Sequence, residues 1–194
     1  MGDLSQTSGK RNVYFPAAKR YLFASAVFAT LKVSDTECGI GFGSDLLTQM
    51  NCSVDAFDKS AENIAYLRWN YRNPKITTHI ADVEKIKFPD TDAAVSFDTI
   101  ERLNNPLMFL SSLRNSSGLL IGSVPNQDVV PWTMKSYAKK HYTHQEIHDL
   151  LQEAGWRMNY LWSQNDSDVT RNPVGQMIVF GASVSGHNFP KIAI

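Results

Sequence analysis

Val33-Ser34-Asp35-Thr36-Glu37-Cys38-Gly39-Ile40-Gly41-Phe42-Gly43, continued through Leu46, Leu47 and Met50 to Ser53-Val54-Asp55-Ala56-Phe57-Asp58, is the stretch that decides the fold. It reads as a strand ending at Asp35, a glycine turn, a short helix, and a second strand closed by an acid. Glycines at such a turn let backbone N–H groups approach a ligand that a Cβ would push away, and the following helix aims its positive end into the same space. Asp58, 19 residues beyond Gly39, stands where an acid accepts hydrogen bonds from ribose hydroxyls. The pattern points to a nucleotide-cofactor site.

Outward from this unit the chain alternates. Upstream, Pro16 is placed to open a helix reaching about Thr30, with Tyr21, Leu22, Ala24, Phe28 and Leu31 near helical spacing. Residues 1–15 are expected to be a flexible N-terminal segment, and 16–194 a single domain. Tyr14 or Tyr21 could cover the cofactor from that helix. Downstream, Ser60 caps a helix through Ile64, Leu67 and Tyr71, and Asn73-Pro74 breaks it. Ile76–Ile80, Ala93–Phe97 and Leu119–Val124 read as strands, the last two apolar enough for a buried parallel sheet. Leu107–Leu113 reads as a helix between them. Thr143-His144-Gln145-Glu146 is a capping box for a helix ended by Gly155. Met158–Trp162 and Met177–Ser183, with no helix between, imply a terminal antiparallel hairpin.

Composition narrows the function classes. The chain has 194 residues, 43% hydrophobic and 20% charged, which suits one globular domain. Lys+Arg and Asp+Glu number 19 each, so bulk charge offers no reason to expect nucleic acid. Cys38 and Cys52 lack metal-ligand spacing, and no apolar run approaches the roughly 20 residues of a membrane span. A cytoplasmic protein with reduced thiols, no membrane association and no metal is expected. His144 and His148 sit at i and i+4, but Glu146 is one position away from a zinc-protease arrangement and is already used by the capping box.

The glycine spacing Gly39, Gly41, Gly43, with Ser44 after it, departs from the dinucleotide pattern and weakens a nicotinamide reading. Asp35-Thr36-Glu37-Cys38-Gly39-Ile40-Gly41-Phe42-Gly43 instead resembles the first motif of class I S-adenosylmethionine-dependent methyltransferases. Later landmarks agree in order. Asp58 resembles the ribose-binding acid, Ala81-Asp82-Val83 the acid and neighbour that hold adenine, Val95 to Leu103 the fourth-strand motif, and Gly118 to Asn126 the fifth strand. The resemblance covers about residues 17–184. It implies an α/β, Rossmann-like three-layer sandwich with a seven-stranded, mostly parallel sheet, its last strand inserted antiparallel between the fifth and sixth. It also implies S-adenosylmethionine as cofactor, with Asp35, Glu37, Cys38, Gly39, Gly41, Asp58, Lys59, Asp82, Val83 and Phe97 as the binding set.

Glu37 stands where the family usually has a glycine. A positive φ there would strain glutamate by roughly 1 kcal/mol. Its carboxylate either pairs with the cofactor's ammonium or occupies the cofactor's volume. Arg102 likewise replaces a histidine common in the family. Methyl transfer mostly needs alignment and exclusion of water, with a base required for a hydroxyl or a protonated amine. His141, after the fifth strand, is the candidate base. Glu101, with Asp98, could orient the acceptor, and Trp132 and Tyr137 could close over it or merely anchor their loop. Ser96-Phe97-Asp98-Thr99 lacks the motif of DNA-amine methyltransferases, which leaves a small-molecule or glycan acceptor. The reading from another class is a non-catalytic protein of this fold, its cofactor site altered by Glu37, serving as a binding or partner subunit.

Overall fold

The computed structural model describes residues 8–134, 137–166, 168–171 and 174–192, with side chains from Pro16 onward. Its seven strands are β1 (Lys32–Thr36), β2 (Ser53–Asp58), β3 (Ile76–Ile80), β4 (Thr91–Phe97), β5 (Ser117–Pro125), β6 (Arg157–Gln164) and β7 (Met177–Ser183). They form one sheet in the order β3-β2-β1-β4-β5-β7-β6. Only β7 runs antiparallel to its neighbours, pairing with β5 and β6. The order reverses beside β1, whose flanking strands β2 and β4 are both parallel to it. Open α/β sheets place their ligands at such a switch point, outside the carboxyl ends of the strands.

The helices are α1 (Ser8–Val27), α2 (Phe42–Thr48), α3 (Ala61–Asn70), α4 (Pro106–Arg114) and α5 (His144–Glu153). Side chains alternate across a strand, and the sheet's two faces use that alternation. Ala93, Val95, Phe97, Leu119 and Ile121 pack with Tyr21, Leu47, Ile64 and Leu67 of α1–α3 and with Phe28 just beyond α1. Ala94, Leu120 and Val124 pack on the other face with Phe109, Leu110, Ile147 and Leu151 of α4 and α5. This is the three-layer arrangement that the alternating pattern implies.

Local chemistry sets the helix starts. The Ser60 side chain accepts from Asn63 N, and Asn105 accepts from Met108 N ahead of Pro106. Both halves of the Thr143–Glu146 capping box are present. The start of α1 differs from expectation. Pro16 was assigned the first turn because its missing N–H costs nothing there, yet the helix begins at Ser8 and holds Pro16 inside. One interior hydrogen bond is forgone instead. Residues 8–12, expected to be loose, are helical; the Tyr14 side chain, and residues 167, 172 and 173 of the polar loop before β7, lie outside the described set. Among the described residues no helix is long and apolar enough to cross a membrane.

Candidate active site

Register brings the site together. Thr36 pairs with Phe57, Asp58 with Ile80, and Phe97 with Ser123. Glu37, Asp58, Asp82 and Asp98 therefore emerge from one edge of the sheet. A cleft of about 550 Å3 opens there, lined by Glu37, Gly39, Asp58, Lys59, Asp82 and Arg102 among others. That size is ordinary for small-molecule sites.

The glycine turn is held by its own backbone and by the acid it faces. Cys38 N donates to Phe57 O at 2.8 Å, and Gly39 N donates to Asp58 Oδ2 at 2.9 Å. Ser60 N and Asn63 Nδ2 donate to Asp58 Oδ1 at 2.8 and 3.2 Å. The carboxylate is fixed in place yet keeps lone pairs for further donors. The three glycines differ in purpose. Gly39, at φ 57°, would carry its Cβ into space empty to 4 Å, so its surface is open for a ligand. At Gly41, φ 88°, a Cβ would strike Leu67 Cγ at 2.2 Å. A Cβ at Gly43 would enter the Tyr21 ring at 2.1 Å. These last two admit α3 and α1 respectively, so their role is packing.

Asp35 lines none of the cleft's cavities. It is buried, accepting from Tyr21 OH at 3.0 Å and Ser44 Oγ at 2.6 Å. Burial pushes its carboxyl up to about 7, against the pull of those two bonds. It fastens the turn to α1 and α2 from beneath. Val83 is also a core residue, packed with Phe57, Phe88 and Ile100, and contributes no side chain to the cleft. Asp82 does face it, with Oδ1 accepting from Glu84 N at 3.1 Å and Oδ2 2.8 Å from Lys85 Nζ. The bond from Lys85 holds its carboxyl below the usual range.

Glu37 has the left-handed backbone expected of the glycine it replaces, at φ 54°. Its Oε2 lies 3.3 Å from Arg102, and its Oε1 lies 3.8 Å from Lys59. Burial raises its pKa while Arg102 and Lys59 pull it down. The carboxylate borders the large cleft and an adjoining cavity of about 330 Å3 lined by Tyr21, Cys38, Phe42, Phe97 and Asp98. Phe97, one of the expected cofactor-binding residues, faces this second compartment and packs edge-on to Tyr21 at 4.9 Å. Asp82 borders the first compartment and not the second.

A third cavity of about 330 Å3 is shared by Asp98, Glu101, Arg102, Pro125, Tyr137 and His141. The two candidate catalytic residues thus meet at one space. Glu101 and His141 are both buried. The segment carrying His141 is tied down by Lys139 N donating to Glu101 O at 2.8 Å. Trp132 anchors the same segment, its Nε1 donating to Ala138 O at 2.7 Å. The Tyr137 ring centroid lies 5.9 Å from the Arg102 guanidinium, and Tyr137 borders two cavities.

Several functional neighbours escaped sequence reasoning. Asn63, Asn104 and Lys139 line the large cleft. Glu84 binds that rim together, accepting from Asn104 N at 2.8 Å and Asn105 N at 2.7 Å. Arg20 is buried, bonded to Asp98 Oδ2 at 2.5 Å and Gln164 Oε1 at 2.8 Å. A basic residue beside an apolar helical stripe was its one visible signal.

Comparison with known proteins agrees with this geometry. A methyltransferase domain family matches residues 35–116. A protein of Mycobacterium tuberculosis described as a "probable S-adenosylmethionine-dependent methyltransferase" is 31% identical over 100 residues, 49% of this chain and 36% of that one. The chain thus spans well under half the length of that relative. The ubiquinone biosynthesis O-methyltransferase of Cereibacter sphaeroides is 24% identical, covering 80% of this chain and 76% of its own. Among solved structures, an S-adenosylmethionine-dependent methyltransferase from Aquifex aeolicus superposes with a TM-score of 0.70 at 18% identity, covering 95% of this chain and all of that one. Magnesium protoporphyrin IX methyltransferase from Synechocystis, solved with S-adenosylhomocysteine, gives 0.68 at 15% identity, covering 95% and 89%. Residues 35–116 are thus similar to a methyltransferase domain family, and they lie within a sheet that the rest of the chain completes.

Proposed function

We propose that the protein binds S-adenosylmethionine and transfers its methyl group to a small-molecule or glycan acceptor in the cytoplasm. The observation that carries this reading is the open face of Gly39, flanked by Asp58 and Asp82 on one cleft of about 550 Å3. The site fits an adenosyl group in shape and in donor set. When bound, S-adenosylmethionine supplies an electrophilic methyl on a sulfonium.

The chain's own residues do the remaining work. Asp58, already oriented by Gly39 N, accepts from ribose hydroxyls; Asp82 serves the base end. Glu37 offers a carboxylate to the cofactor's ammonium once Arg102 and Lys59 release it, a charge-assisted contact. Tyr21 and Phe97 close the second compartment with apolar surface and keep water from the reacting centre. Glu101 and His141 face the acceptor side. The similarity to an O-methyltransferase of ubiquinone biosynthesis supports a small-molecule acceptor.

A second reading rests on the same Glu37. Its pairing with Arg102 occupies the cleft with charge, as expected of a non-catalytic relative acting as a partner subunit. Titration calorimetry with S-adenosylhomocysteine separates the two. Micromolar binding, weakened at least tenfold by Asp58→Ala, supports the enzyme. No heat at millimolar ligand with folded protein supports the non-catalytic reading.

A further inference from the structure

The third cavity differs in chemistry from the two beside it. His141 Nδ1 lies 2.6 Å from the Val130 carbonyl oxygen. A carbonyl can only accept, so Nδ1 carries the proton and a neutral ring keeps its lone pair on Nε2. Glu101 has an opposite character. Among the described residues its Oε2 is buried without a hydrogen-bond partner. Burial and the nearby Asp98 push its carboxyl up to about 8, so near neutrality it is mainly the acid form, a hydrogen-bond donor. The other charged groups are engaged: Asp98 holds Arg20, and Arg102 holds Glu37. The cavity shares Asp98 and Arg102 with the Tyr21–Phe97 compartment, so the two adjoin.

A base with a fixed lone pair and a separate buried donor suit two oxygens better than one. We propose that this cavity takes an oxygen acceptor bearing a second oxygen on the neighbouring atom, a catechol or a vicinal diol, with His141 Nε2 accepting the proton of the reacting hydroxyl and Glu101 donating to its neighbour. This rests on the methyltransferase reading and narrows it. In the step, the hydroxyl oxygen forms its bond to the methyl carbon as the carbon–sulfur bond breaks. Sulfur keeps the electron pair, and the proton passes to His141. An ammonium acceptor fits poorly, because the neutral Glu101 offers it no counter-charge and Asp98 is committed to Arg20.

The test uses the full chain loaded with S-adenosylhomocysteine, with catechol, phenol, methyl α-D-glucopyranoside, cyclohexanol and benzylamine as probes. Calorimetry and ligand-observed NMR read binding; mass spectrometry of methylated product reads transfer with S-adenosylmethionine. A vicinal-oxygen probe is expected to bind at least tenfold tighter than its single-hydroxyl counterpart. Glu101→Leu should erase that preference, whereas Glu101→Gln, which still donates, should keep it within a few-fold. His141→Asn, which can still donate to Val130 O, should leave binding intact and lower transfer about 100-fold. Nitrogen-15 shifts should show His141 protonated at Nδ1. Equal binding of catechol and phenol, preference for benzylamine, no binding of any oxygen probe, Gln as damaging as Leu, or an Nε2-protonated ring would overturn the proposal. Failure to bind S-adenosylhomocysteine is a different result: it removes the methyltransferase reading itself, and the proposal with it.

Discussion

Glu37 and Asp98 follow neighbouring strands, β1 and β4, and both hold a left-handed backbone, at φ 54° and 52°. Both also meet an arginine. Asp98 bonds Arg20 at 2.5 Å, and the guanidinium is sealed, its side chain 4% exposed and set 5.8 Å from the Phe97 ring centroid. Glu37 meets Arg102 at 3.3 Å in the open cleft, with the arginine 30% exposed. Aspartate adopts this backbone more readily than glutamate. The same pairing therefore serves two ends: one fastens α1 to the sheet, and the other can be parted by a ligand.

Substitution should separate the two sharply. Asp98→Asn keeps an acceptor but leaves the buried guanidinium without a counter-charge; because the Asp98 carboxylate is itself 45% exposed, a loss of about 2 kcal/mol is expected by urea denaturation. Glu37→Gln should cost less than about 1 kcal/mol, because burial already works against its ionised carboxylate and offsets the attraction of Arg102. Equal losses would dissolve the contrast.

The second contrast lies in pH. Glu101 titrates near 8 and Asp35 near 7, both above their unfolded values of 4.5 and 3.8. The folded state holds these protons more tightly, so the stability they contribute is full below about pH 4 and declines as pH rises through 7 to 8. Glu101→Gln should remove its share of that decline, from about pH 4.5 to about 8, in denaturation curves taken between pH 4 and 9. A slope unchanged in the variant would place the linkage elsewhere.

Tyr21→Phe takes one of two donors from Asp35. About 1 kcal/mol of stability should be lost. The Asp35 carboxyl should also titrate higher, seen by carbon-13 NMR, because the lost bond favoured the ionised form. The smallest effect is expected for Glu37→Gly. Relief of left-handed strain is offset by a more flexible unfolded chain, so stability should change by under about 1 kcal/mol. Affinity for S-adenosylhomocysteine should move only a few-fold if Glu37 assists binding. A gain of tenfold or more would favour the altered-site reading.

Much of this architecture was legible in the residues. Strands that alternate or run apolar between turns, with acids at the strand ends, imply that Asp58 and Asp82 share one edge of the sheet, and both line the same cleft there. Contacts between distant segments were not legible. Gly43 looks like a third ligand-facing glycine, and only the Tyr21 ring pressed against it explains it. Asp35 sits in the motif but is turned inward by Tyr21 and Ser44. Phe97 ends the proper strand, yet the sheet order puts it beside Tyr21 rather than Asp82. Arg20 reads as a solvated helix residue until Asp98 and Gln164 close around it.

That last contact reaches from residue 20 to residue 164, across 144 positions of the chain. Helix α1 is therefore both a buttress joined to the far hairpin and, through Ala17 and Tyr21, a wall of the compartment between Glu37 and Phe97. Trimming the protein to Val27 would open that chamber to solvent and also bare Val95 and Phe97, against which Tyr21 and Ala24 pack.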